Sequence, residues 1–357
     1  MPDPGQGVAG GTTAPEPPKA PETLSQFVAR VLDQLSLSAW LPSAALVLLL
    51  ALVFRLASEL DAERPRGRGV GQVVGAAFAS LAGLSPGGAL LLLLAVVVTT
   101  IVTQAFAFEA IRTLEGYWGT SAPIERLAEW RCSRFRRRLG RFETAYDRLT
   151  SAAWASARSM IEREQADAIR AGDDEAEVRE WTPDMLAYLG AKLQTLSTDA
   201  ALAPDVRRRA LNLPWERYAP ADLLRRQVNV DKRLRDFPLG HRVLPTRLGN
   251  VLRAHEDQTG HARVETFVLE AYDQLPTTLR TQHDEHRNRL DLYCSMVFVV
   301  AFVACVAVAR LAAHPPWAAA AAVTGLLVMW LTYRAALASA RIYGLLILEV
   351  ARRFPPP

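Results

Sequence analysis

"TTIVTQAFAFEAIRTLEGYWG", Thr99–Gly119, begins as a segment fit for lipid and ends in charge and aromatics. Glu109, Arg112 and Glu115 arrive within two helical turns of Phe108, followed by Tyr117 and Trp118. No glycine or proline interrupts the run before Gly116. A helix that starts in this apolar stretch therefore has no local reason to stop at the edge of a bilayer. The spacing predicts one continuous rod that leaves the membrane as a stalk, with Gly119 as its cap.

The apolar part of this rod extends back to Gly87, so "GGALLLLLAVVVTTIVTQAFAF" matches the roughly 20 residues needed to cross a hydrocarbon core. Three further stretches qualify. No charge lies between Asp33 and Arg55, around "LPSAALVLLLALVF"; "LYCSMVFVVAFVACVAVA" ends before Arg310; "WAAAAAVTGLLVMWLTY" follows a His314-Pro315-Pro316 turn. The start of the chain lacks a basic n-region and a small-residue cleavage site, so the first span reads as a retained anchor. The expected fold is all-α: four transmembrane helices at 36–57, 87–108, 291–313 and 317–337, with a helical cytoplasmic domain at 109–290 inserted between the second and third.

The remaining divisions follow from composition. Residues 1–21 are rich in Pro and Gly and read as a disordered tail. Residues 22–35 place Leu24, Phe27, Val28, Val31, Leu32 and Leu35 on one face of an amphipathic helix. Residues 58–86 form an external loop with a re-entrant or interfacial helix, or a plain surface helix. Gly71 and Gly75 there give a small-xxx-small pair suited to close helix approach. Gly69-Val70-Gly71 opens like a dinucleotide fingerprint, but Val74 replaces the third glycine and no strand precedes it, which excludes that fold. The chain ends at 338–357 in an amphipathic helix and tail whose Ile342, Leu345 and Leu346 would dock on the stalks.

Arginine placement sets the orientation. Arg112, Arg126, Arg131, Arg134, Arg136, Arg137, Arg138 and Arg141 follow span two, and Arg280, Arg287 and Arg289 precede span three. The positive-inside rule makes this side, with both termini, the cytoplasm of a bacterial plasma membrane. Arg64, Arg66 and Arg68 on the other side argue weakly against it. The formal net charge of +4 offers no basis for a nucleic-acid partner.

Inside the domain, Ala128, Cys132, Phe135, Leu139, Phe142, Tyr146, Leu149 and Ala153 recur at spacings of four and three on a helix reaching about Ile169. That is a heptad seam, expected to pack within the domain. Shorter helices are expected at 183–198, 220–237, 245–257 and 264–274.

Candidate functional residues are few. Thr99, Thr103 and Gln104 would line water in a pore, or bond neighbouring helices in an ordinary bundle. "RCSRFRRRLGRF" offers Arg134, Arg136, Arg137, Arg138 and Arg141 to anionic lipid head groups, or forms a solvated face. His283 and His286 in "HDEH" would need a third convergent ligand to hold a metal. Cys132, Cys294 and Cys305 have no CxxC spacing. With no catalytic motif and no cofactor fingerprint, an enzyme is disfavoured. The expected function is an oligomeric membrane assembly whose cytoplasmic domain binds or senses a cytosolic partner, a regulated pore in its sharpest form. The alternative is a non-conducting scaffold. A lipid-acting enzyme would need His255, His283 or Glu109 at the bilayer surface.

"FEAIRTLEGYWG" (Phe108–Gly119) and "LPTRLGNVLRAHE" (Leu244–Glu256) resemble segments of uncharacterised multi-span membrane proteins of high-GC Gram-positive bacteria. The resemblance covers the second span, the domain and the third span. It implies a fold and a location and lends no catalytic residue.

Overall fold

The computed structural model describes residues 37–63, 70–173, 175–194, 203–261 and 264–354. The amphipathic stripe of residues 22–35 and the Arg64–Arg68 cluster lie outside them. Every regular element among the described residues is helical. Four helices are long and apolar enough to cross a membrane: α1 (Leu37–Glu63), α3 (Pro86–Glu115), α10 (Thr277–Arg310) and α11 (Pro315–Arg353). The short α2 (Val70–Ala82) lies between the first two.

α3 shows how local sequence sets a rod's length. The Ser85 side chain accepts a hydrogen bond from the Gly88 N–H, and Pro86 occupies the first turn, where a missing donor costs nothing. From there the helix runs unbroken for 30 residues to Glu115. It ends at Gly116, whose φ of 101° is open to glycine and strained for other residues. The Gly116 and Tyr117 N–H groups both return to the Arg112 carbonyl and close the end. The cap is thus three residues earlier than Gly119, at a left-handed glycine that lies against the Pro245 ring.

α10 packs along α11, α1 against α10, and α3 against α1. Gly325 of α11 lets Ala304 of α10 approach so closely that a Cβ would collide with it. At one end of the bundle Ala57, Leu60, Val73 and Leu311 form a small core, and His314 reaches Asp61 at 3.0 Å. α2 joins this core through Val73 and Ala77. Gly71 and Gly75 are exposed and have no neighbour within 4 Å, so the expected close approach at that pair does not occur.

At the opposite end α3, α10 and α11 continue into the segment between α3 and α10. Its longest member, α4 (Ala122–Ala171), spans 50 residues. The seam residues from Ala128 to Ala153 are all buried or half-buried. The first half of the seam meets α7 (Ala221–Leu234) and the loop after it, where Phe237 contacts Phe135 and Phe142 at 6.3 and 6.0 Å. The second half meets α5 (Pro183–Leu193) and 3-10 turns at Glu177–Glu180 and Trp215–Tyr218, and α6 (Pro204–Leu211) packs on α5. There Trp154 packs edge-on to Trp215, and Trp181 to Tyr218, around buried Ala157, Ile161, Leu186 and Leu189. We call this the distal core. α6 is an addition to the expected helices, and its eight residues carry too short a pattern to stand out.

α8 (Arg247–Thr259) joins this lobe to the long helices. Thr246 caps it through the Gly249 N–H, and the buried Asn250 side chain bonds both the N–H and the carbonyl of Leu244. Gly249 lies against the Glu115 carbonyl of α3, and Gly344 of α11 lies against the His255 ring; a Cβ at either would collide. α11 has no break near residue 338, and span and tail are one helix of 39 residues. It docks through Tyr343, Gly344, Ile347 and Val350, while Ile342 and Leu345 are exposed, contrary to the expected docking face.

Candidate functional site

α8, α9 (Val264–Tyr272) and the ends of the three long helices enclose a cleft of about 600 Å³. One wall is apolar: Phe108 and Ile111 from α3, Val268 and Leu269 from α9, and Ile347 from α11. Phe108 and Leu269 are 63% and 75% exposed, so large apolar groups stand open at this cleft.

The other wall is polar. The Tyr343 hydroxyl lies 3.2 Å from His283 Nε2, and His283 Nδ1 lies 3.1 Å from Asp284 Oδ1. Tyr272 donates to the second Asp284 oxygen at 2.6 Å, and this hydrogen bond raises the Tyr272 phenol above its ordinary range. Three arginines line the cleft in different states. Arg253 pairs with Glu256 at 2.9 Å and Arg287 with Asp291 at 3.3 Å. The Arg112 guanidinium instead sits 5.6 Å from the centre of the Phe108 ring and 5.8 Å from that of Tyr117, and no carboxylate pairs with it among the described residues.

A second polar feature locks the lobe to the bundle. Asp236, just past α7, accepts from Arg341 of α11 at 2.8 and 2.6 Å and from Arg247 of α8 at 3.3 Å. Burial pushes the Asp236 carboxyl upward, but the bonds and charge of Arg341, then Arg247, outweigh it and hold the group below its ordinary value.

The sequence-predicted residues fall in separate places. Thr103 Oγ1 lies 2.6 Å from Ser43 Oγ of α1, tying two spans together. Thr99 is half-buried and Gln104 is exposed. Arg134, Arg137, Arg138 and Arg141 line an open hollow with Trp130, and Arg136 is exposed. Arg134 lies over Trp130 and Arg138 over Phe142, and no carboxylate pairs with any of the five among the described residues. His283 enters the cleft, whereas His255 is buried with Nδ1 at 2.7 Å from the Val251 carbonyl, and Glu109 is exposed. Among the described residues no three His, Cys, Asp or Glu side chains converge as metal ligands.

The sequence reading missed Asp236, Arg253 and Tyr343 as site residues. Their partners are 105, 3 and 60 residues away, and only the short Arg253–Glu256 spacing is visible locally. Comparison of the chain with known protein families, with curated proteins and with solved structures finds no match.

Proposed function

We propose that this protein is a four-span assembly of the bacterial plasma membrane, with both termini and the helical lobe in the cytoplasm. In this reading the lobe binds a partner and passes the event to the membrane helices. The observation that carries it is continuity: α3, α10 and α11 each run without a break from an apolar span into the lobe. Helices of this length transmit tilt and rotation, since their backbone hydrogen bonds leave no hinge. Arginine dominance on the lobe side supports the cytoplasmic placement.

Self-assembly is favoured by Gln104. Its exposed amide lies among exposed Val97, Ile101 and Phe108 on α3, and an amide facing hydrocarbon gains from a partner helix that can bond it. Thr103 is engaged by Ser43, which supports a signalling or scaffolding assembly over a Thr103-lined pore. Native mass spectrometry from nanodiscs tests the assembly. Two or more copies are expected, falling toward one in Gln104→Leu; a monomeric parent chain would overturn it. Ion flux in liposomes that changes with Thr103→Leu would restore the pore.

A further inference from the structure

We propose that the cleft between the spans and the lobe is a binding site for a singly charged anionic phospholipid. Its phosphodiester would sit on Arg112, and an acyl chain would lie along Phe108, Ile111 and Leu269. Three observations lead there. First, the cleft has both an apolar and a polar wall, the chemistry of an amphiphile rather than of a sugar or a nucleotide. Second, the apolar wall begins on α3 where the span ends, and Arg112 stands one turn beyond Phe108. In the membrane placement proposed above, that turn lies at the depth of lipid phosphates, within reach of a snorkelling arginine.

Third, the charges select the ligand. Arg253 and Arg287 are engaged by Glu256 and Asp291, which leaves Arg112 as the cleft cation held only by aromatic rings among the described residues. Glu115 and Glu256 also line the cleft. With Arg253 and Arg287 already paired and the Glu115 carboxylate also lining the cleft, one such cation suits one negative charge and disfavours a dianionic phosphate. A phosphodiester meets that requirement, and an arginine can engage two of its oxygens at once. The Tyr343 hydroxyl and the His283 ring also line the cleft and can bond a hydroxylated head group.

The test uses the full chain purified in mild detergent, with lipid retention followed by native mass spectrometry. On the unaltered protein, dioleoylphosphatidylglycerol should be retained and dioleoylphosphatidylcholine should not; equal retention of the two would overturn the site. Arg112→Gln should weaken phosphatidylglycerol binding by about fivefold to tenfold. Arg112→Lys should keep part of the binding, and Arg208→Gln, at an exposed position on α6, should leave it unchanged. Unchanged binding in Arg112→Gln would contradict the assignment. Glycerol 3-phosphate displacing the lipid at equal concentration would show a water-soluble anion as the ligand and overturn the lipid reading. Vesicle flotation separates this inference from the one it rests on. A chain that does not float with vesicles contradicts membrane placement, whereas one that floats but discriminates no head group contradicts this site alone.

Discussion

The distal core and the junction between the lobe and the long helices are both apolar inside, but only the junction adds a charged clamp and close backbone contacts. Around Trp154 the core is apolar and aromatic, with Ala153, Ala157 and Ile161 fully enclosed. At the junction an apolar core of Ile111, Leu248, Val251, Leu290 and Leu337 is joined by the Asp236 clamp and by two glycines whose missing side chains admit a carbonyl and an imidazole. The distal core has its stability from burial, which is roughly additive and insensitive to salt or pH. The junction adds to such burial a dependence on close approach and on charges, which are geometric and adjustable. A fold that must stay intact while passing on a movement gains from that division, with a lobe that does not yield and an attachment that holds it to the long helices through a few defined contacts.

Trp154→Ala should cost the distal core about 3–5 kcal/mol, the range for emptying a large aromatic site. Limited proteolysis should then cut within residues 175–219 while the spans stay protected; loss of both regions together would mean that they fold as one. Gly249→Val should cost about 1–3 kcal/mol or more by overpacking against the Glu115 carbonyl. Its mark should be weaker attachment of the lobe with the distal core preserved, read by hydrogen exchange in α8 against α5.

Asp236→Asn should cost about 1–2 kcal/mol, less than a fully buried pair because Arg247 and Arg341 are some 40% exposed. The same clamp gives a pH dependence of defined sign. The folded carboxyl titrates below its ordinary 3.8, so its contribution is complete above that value and is lost as pH falls through the folded one. Junction exchange should therefore rise in acid below pH 3.8 and stay flat near neutrality, and Asp236→Asn should remove the acid step. Glu349→Gln, which breaks exposed pairs with Arg352 and Arg353, should change stability by less than about 1 kcal/mol in a thermal melt.

Much of the frame was legible in the chain because it is written in local patterns. Four apolar runs of sufficient length, a seam of alternating fours and threes, and the absence of a breaker before Gly116 each correspond to one helix in the structure. The misses share a cause. Gly116 rather than Gly119 ends α3, and it lies against Pro245, far along the chain. Gly71 and Gly75 have the spacing of a packing motif and pack nothing, whereas Gly249 and Gly344, which have none, carry the closest approaches. The site was less legible still. His283 stood out for its neighbour His286, but its partner in the cleft is Tyr343, on another helix. Arg112 drew notice only as a charge that marks the membrane side. Contacts between distant helices leave no period in a single sequence, and the cleft consists almost wholly of such contacts.

The central claim is that lobe and spans move as one body through the unbroken helices and the Asp236 clamp. Spin labels at Glu143 in α4 and Leu327 in α11, with Cys132, Cys294 and Cys305 replaced by alanine, measure it by pulsed dipolar spectroscopy in nanodiscs. The account predicts one narrow distance distribution that broadens in Asp236→Asn. A broad distribution in the labelled parent, unchanged by that substitution, would contradict it.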